Sequence, residues 1–165
     1  TVDFGATEKQ TNFFFSSLMF IGGASASVAG GIKINTIAVV LIAVMSTLRG
    51  RTYASAFGRE IPQAQVQRAM VIGAVSTAFV FLLAVLLTST ESGFDFVDLF
   101  FEIVSAFRTV GLSAGLTAEL SSWGHLIVII AMFSGRFGPL TIGLAMAQRS
   151  EGDIYRYAQE RVTIG

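Results

Sequence analysis

Residues 94–117 read Phe94-Asp95-Phe96-Val97-Asp98-Leu99-Phe100-Phe101-Glu102-Ile103-Val104-Ser105-Ala106-Phe107-Arg108-Thr109-Val110-Gly111-Leu112-Ser113-Ala114-Gly115-Leu116-Thr117. The first half, Phe94 to Phe107, is amphipathic and too short to cross roughly 30 Å of hydrocarbon. The second half, Thr109 to Thr117, is rich in Gly and Ser and has no helical period. Upstream, Ala69 to Leu87 is uncharged and long enough to span a bilayer as a helix. Downstream lies a final apolar segment, Trp123 to Ala147, which Gly135-Arg136-Phe137-Gly138-Pro139 is expected to interrupt. Long helix, short re-entrant helix, extended Gly-containing strand, long helix is the order of an ion-channel pore loop. Irregular backbone at membrane depth survives only where protein or a water-filled cavity satisfies it.

Composition agrees with a membrane location. Of the 165 residues, 53% are hydrophobic and only 13% charged, about half the charge a soluble domain carries. The 17 Gly against 2 Pro suit helices that pack through small residues. Formal net charge is zero, so nothing favours nucleic acid. There is no Cys, which removes disulfides, thiolate metal sites and cysteine nucleophiles together. The opening Thr1-Val2-Asp3-Phe4-Gly5 has neither Met nor a basic leader, and reads as the inside of a longer protein.

The N-terminal third is apolar from Phe13 to Leu48 but broken in the middle. Gly22-Gly23-Ala24-Ser25-Ala26-Ser27-Val28-Ala29-Gly30-Gly31 is small and polar enough to end a helix, Lys33 follows, and helical periodicity resumes at Ile34. Between Leu48 and Ala69 stand Arg49, Arg51, Arg59 and Arg68 against Glu60 alone. The turn after Leu87 holds Glu91 and Asp95 with no base. The positive-inside rule makes the first loop cytoplasmic and the second external, which puts the tail with Arg149, Arg156 and Arg161 in the cytoplasm. An internal echo appears as well. Leu18-Met19-Phe20-Ile21-Gly22-Gly23 is similar to Ala131-Met132-Phe133-Ser134-Gly135-Arg136, and both run inward, so the duplication is parallel.

Thr109-Val110-Gly111-Leu112-Ser113 is the candidate filter strand, with Gly111 supplying backbone angles that carbonyl alignment needs. Several such strands around an axis replace the hydration shell of a monovalent cation. The short helix before it aims the negative end of its dipole at the same place. An ordinary external turn is the alternative reading of these five residues. Lys33 and Arg136 are charges beside membrane-depth backbone, functional candidates because hydrocarbon makes an idle charge costly. The alternative is that they snorkel or cap broken helix ends. Asp95 and Asp98 are expected to cap and charge the start of the short helix. Trp123 and the sole His, His125, read as interfacial, and Glu8 and Glu119 as matched loop acids. No nucleophile–base set and no metal cluster stand out, so the chain does not read as an enzyme.

The residues then carry a resemblance. Ser105 to Thr117 resembles the fourth pore loop of the TrkH/KtrB superfamily of potassium transporters, and Met132 to Thr141 resembles the helix that follows it there. Leu18 to Lys33 is similar to the intramembrane loop in the third repeat's inner helix, and Glu160 to Gly165 to KtrB endings. Two positions depart from the family pattern. Ser25-Ala26-Ser27-Val28 replaces Gly or Pro-Gly, and Arg108 stands where a small residue is common, which bears on the outer filter field.

The resemblance implies an all-α membrane protein of helix–pore loop–helix repeats. Residues 1–48 would end the third repeat, 49–68 form a cytoplasmic loop, 69–147 make the whole fourth repeat, and 148–165 a cytoplasmic tail. It implies potassium uptake, with K⁺ (or Na⁺) held at Thr109, Val110 and Gly111 and no covalent cofactor. The gate would be the loop Gly22, Gly23, Ala24, Ser25, Ala26, Ser27, Gly30 and Gly31 with Lys33, and Arg136 the pore charge near its carbonyls. It further implies a homodimer in a bacterial inner membrane, with a KtrA- or TrkA-like nucleotide-binding ring on the cytoplasmic side. Two rival readings stand beside it: a broken-helix secondary transporter of another solute, and a fragment with no function of its own.

Overall fold

The computed structural model describes residues 4, 7–24, 29–51 and 53–147, the last ten of these by backbone alone. It is built almost wholly of helices: α1 (Lys9–Ile21), α2 (Ile34–Leu48), α3 (Gln63–Thr90), α4 (Phe96–Arg108) and α5 (Ser122–Ala147). A two-stranded hairpin, β1 (Ser55–Ala56) with β2 (Arg59–Glu60), projects between α2 and α3. Its two-residue turn needs positive φ at both central positions; Phe57 (φ 53°) and Gly58 (φ 74°) supply them. This is the all-α fold expected of the membrane class.

α3 is the longest element, 28 residues with a mean hydropathy of 2.6 over its most apolar stretch, long and apolar enough to cross a bilayer. Only 28% of that stretch is buried within the chain, so most of its apolar surface faces outward. The helix begins at Gln63, six positions before the apolar run that announces it, because polar residues with good helix propensity extend it. Pro62 at its N-cap position has a φ of −55° and stands where a missing N–H costs nothing.

α3, α4 and α5 share one core. Val80, Leu83 and Leu87 of α3 meet Leu99, Ile103, Val104 and Phe107 of α4, with Val128 and Ala131 of α5. In hydrocarbon, packing and close backbone approach hold helices together, because lipid tails are as apolar as leucine. The fully buried Ala84 and Ala131 suit such close approach. α1 lies along α4, joined at one end by the Lys9–Asp95 ion pair and by Asn12 Nδ2 donating to Asp98 Oδ1 at 3.2 Å. Asp95 stands at the N-cap of α4 but makes no capping hydrogen bond, contrary to expectation, because Lys9 takes its carboxylate.

One expectation fails. The Gly135–Pro139 stretch does not interrupt the last segment; α5 runs through it without a break. Pro139 has no N–H to offer the carbonyl four residues back, Gly135. That freed carbonyl accepts the N–H of Gly31 at 2.9 Å. A second segment satisfies the group that proline strands, and the helix has no need to end there.

Candidate functional site

α4 stops where Thr109 turns left-handed (φ 53°, ψ 39°), and its N–H donates back to Ala106 O at 3.1 Å. Val110 N–H donates to Ser105 O at 3.0 Å, and Gly111 follows at φ 82°. From there the chain has no regular secondary structure to Ala114, and Gly115 turns left-handed (φ 89°, ψ −5°) into the 3₁₀ turn Leu116–Glu119. The strand is held from behind. Ser105 Oγ donates to Leu112 O at 2.5 Å. Glu102, 4% exposed, accepts Ser113 Oγ at 2.5 Å, Ala114 N–H at 3.0 Å and Thr117 Oγ1 at 3.0 Å. A buried carboxylate is costly unless its lone pairs are met, and here three donors meet them. The carbonyls of Thr109, Val110 and Gly111 accept no hydrogen bond from the described residues. A cavity of about 250 Å³ adjoins the strand, lined by Glu102, Ser105, Thr109, Gly111, Ser113 and Met132 among others.

The small-residue loop starts where α1 ends. Gly22 caps that helix at φ 74°, ψ 173°, a region essentially reserved for glycine. Its N–H donates to Met19 O at 3.2 Å. Gly23 O accepts Ile34 N–H at 3.1 Å, which closes the neck of the loop. On the returning limb, Gly30 N–H is shared between Arg108 O (3.2 Å) and Thr109 Oγ1 (3.0 Å), and Gly31 N–H goes to Gly135 O. Lys33 Nζ donates to Ala29 O at 2.5 Å, so its ammonium sits over the limb's own backbone. The limb therefore docks where α4 ends, at Arg108 and Thr109, and on α5 at Gly135. Ser25, Ala26 and Ser27 lie outside the described residues, as does the tail 148–165.

Arg108 lies elsewhere than its sequence position suggests. It is 2% exposed. Its Nε donates to Met19 O at 2.9 Å, and Nη1 donates to Ile32 O. The guanidinium thus points toward the end of α1 and the small-residue loop, away from the segment that follows Thr109. Gly22 and Gly31 both lie against it; a Cβ at Gly22 would overlap Nη2, and one at Gly31 would crowd Cδ and Nη1. Arg136 lies on α5 next to Gly135, its side chain exposed in this chain. Among the described residues, the hydrogen bonds between the loop and the later helices come from Gly135's carbonyl, Arg108 and Thr109.

Of the residues expected to form a filter, Thr109 and Leu112 are half-buried, while Val110, Gly111 and Ser113 are exposed in this chain. Sequence reasoning passed over Glu102; its signal is an acid inside the otherwise apolar run 99–107, which must find donors if buried. Glu91 was read only as a charge marking the outer side. It is 7% exposed and accepts Ser121 N–H at 3.0 Å and Ser121 Oγ, fixing the start of α5 to the end of α3. His125 Nδ1 lies 2.9 Å from Ser121 O on an exposed turn, and Glu8, Glu119 and Trp123 are exposed.

Comparison with known proteins completes the picture. The TrkH family profile, described as "Cation transport protein", matches residues 1–156. Ktr system potassium uptake protein D of Bacillus subtilis is 39% identical over the whole chain, which covers 36% of that protein. Ktr system potassium uptake protein B of the same organism is 41% identical, again over the whole chain and 37% of the relative. Potassium/sodium uptake protein NtpJ of Enterococcus hirae is 39% identical over 90% of the chain and 34% of the relative. The chain spans about a third of the length of these curated relatives.

Proposed function

The chain belongs to the TrkH family of cation transport proteins, not to a family of enzymes, and from that premise we propose that it supplies one filter strand and one gate loop to a potassium-conducting pore. The observation that carries the proposal is that the carbonyls of Thr109, Val110 and Gly111 are left without a hydrogen bond by the described residues, on a segment held from behind by Ser105 and Glu102. A strand whose side chains and rear face are tied down, with its carbonyls left open, is prepared to replace water around a cation. K⁺ is the ion proposed, in line with the potassium uptake named for the relatives; the Enterococcus relative, named for potassium and sodium, keeps Na⁺ in view.

In this reading the family's repeated architecture surrounds one axis, and the strand 109–113 is one of its filter segments. The loop from Gly22 to Gly31, with Lys33, lies beneath it as the gate, and Arg136 adds a fixed charge from the neighbouring helix. The protein is multi-pass, its basic segment Arg49–Arg68 and its tail on the cytoplasmic side. It works as a homodimer with a nucleotide-binding regulatory ring. The potassium uptake relatives named for a Ktr "system" support a partner of that kind.

The test is rubidium and sodium flux through the full-length protein in reconstituted vesicles. Wild type is expected to pass rubidium in preference to sodium, and Gly111→Ala to lose that preference, because a Cβ at φ 82° forces the strand's carbonyls to turn. A Gly111→Ala protein with unchanged flux and unchanged preference would end the proposal.

A further inference from the structure

We propose that Arg108 is a positioning residue that latches the intramembrane loop to the filter strand. The inference rests on the pore reading of Thr109–Ser113, but its geometry stands on other atoms. Arg108 is the last residue of α4 and the immediate neighbour of Thr109. Its planar fork spans two carbonyls from different places: Met19 O in the last turn of α1, and Ile32 O on the returning limb of the loop. Its own carbonyl accepts Gly30 N–H. A single residue thus ties both limbs of the loop to the junction where the pore helix becomes filter.

Three further features fit a latch better than a charge left over from packing. The side chain is 2% exposed, and Nη2 has no hydrogen-bond partner among the described residues. The two carbonyls it engages are therefore the groups that retain it in a dry site. Gly22 and Gly31 leave room for the guanidinium, and a side chain at either would displace it. Met19 O also belongs to the C-terminal turn of α1, and Arg108 closes the C-terminal turn of α4. A cation there lies at the negative ends of two helix dipoles. Arginine meets this geometry where lysine does not, because lysine offers a point charge instead of a rigid fork. Any displacement of the loop that moves Ile32 pulls on the residue preceding Thr109, and any change at Thr109 is felt at Ile32.

The test uses the full-length protein with native cysteines replaced, and a single reporter, Ile32→Cys. Ile32 is 2% exposed, so a thiol there is expected to react slowly with a small methanethiosulfonate reagent. Adding Arg108→Met is expected to raise the rate at least about tenfold, the consequence of losing a charge-assisted hydrogen bond. Arg108→Lys is expected to give a similar rise, because it keeps the charge but cannot bridge both carbonyls. A second reporter, Leu87→Cys in the α3–α4–α5 core, is expected to stay protected in both variants.

Unchanged Ile32→Cys reactivity in both variants overturns the latch. So does wild-type behaviour of Arg108→Lys, which would leave charge alone as the cause. Exposure of Leu87→Cys overturns it too, by showing general loosening. Rubidium flux measured in parallel separates the two claims. A wild type that carries no rubidium sinks the pore reading, while the labelling still decides the latch.

Discussion

The two copies of one short motif part company in the fold. Leu18-Met19-Phe20-Ile21-Gly22-Gly23 ends a helix, whereas Ala131-Met132-Phe133-Ser134-Gly135-Arg136 runs through the middle of one. In the first copy a second glycine follows, small residues continue, and Gly22 takes an angle other residues avoid. In the second, Arg136 and Phe137 follow Gly135 and favour continuing the helix, despite Pro139 one turn on. The consequences are complementary. The broken copy exposes N–H groups in its returning limb at Gly30 and Gly31; the continuous copy exposes one carbonyl, at Gly135, because proline withdraws its partner. The donor from one meets the acceptor from the other. Two similar stretches, differing at Leu18/Ala131, Ile21/Ser134 and Gly23/Arg136, thus serve as a loop and the shelf it rests on.

The largest expected effect is at the shelf. A Cβ at Gly135 would overlap the backbone of Phe107, and neither side of that contact is a flexible side-chain end. Gly135→Ala should destabilise the folded protein by about 3 kcal/mol, seen as loss of the monodisperse species on heating in detergent. Wild-type thermal stability would mean the second copy does not need its glycine.

The matching change in the first copy should cost a similar or slightly smaller amount, because the backbone it meets belongs to a loop and not to a helix. Gly22→Ala places a side chain in a glycine-only region, a strain on the order of 1–3 kcal/mol, and its Cβ would overlap both the end of Arg108 and the backbone carbonyl of Ile32. The protein should fold and show altered rubidium flux. Flux and stability both equal to wild type would remove the distinction between the copies.

The smallest effect sharpens the comparison most. Pro139→Ala restores an N–H to α5 and gives Gly135 O an intrahelical partner. The helix gains, while the Gly31 bond loses about 1 kcal/mol. Amide exchange at Gly31 should then quicken about fivefold. Unchanged exchange would show that the proline-freed carbonyl is not what holds the limb.

Much of this arrangement was legible in the residues. The apolar run 69–87, the short amphipathic stretch before Thr109 and the small-residue break after Ile21 each impose local structure, and each forms where expected. The failures share a cause. Whether Gly135–Pro139 breaks a helix depends on an N–H arriving from a segment about a hundred residues away. Likewise, the direction of Arg108 is set by carbonyls of α1 and of the loop, not by its own neighbours. Glu102 looked like one acid among phenylalanines, and only the folding back of Ser113, Ala114 and Thr117 gives it donors. Local propensity is written in the chain one window at a time; the partners of polar groups at membrane depth are written in the packing.

The central claim is that a cation sits on the carbonyls of Thr109, Val110 and Gly111. Anomalous scattering from crystals of the full-length protein grown in rubidium tests it most directly. The account predicts a rubidium peak in contact with those three carbonyl oxygens and its loss when sodium replaces rubidium. Rubidium bound elsewhere in the pore, with this strand bare, would contradict it.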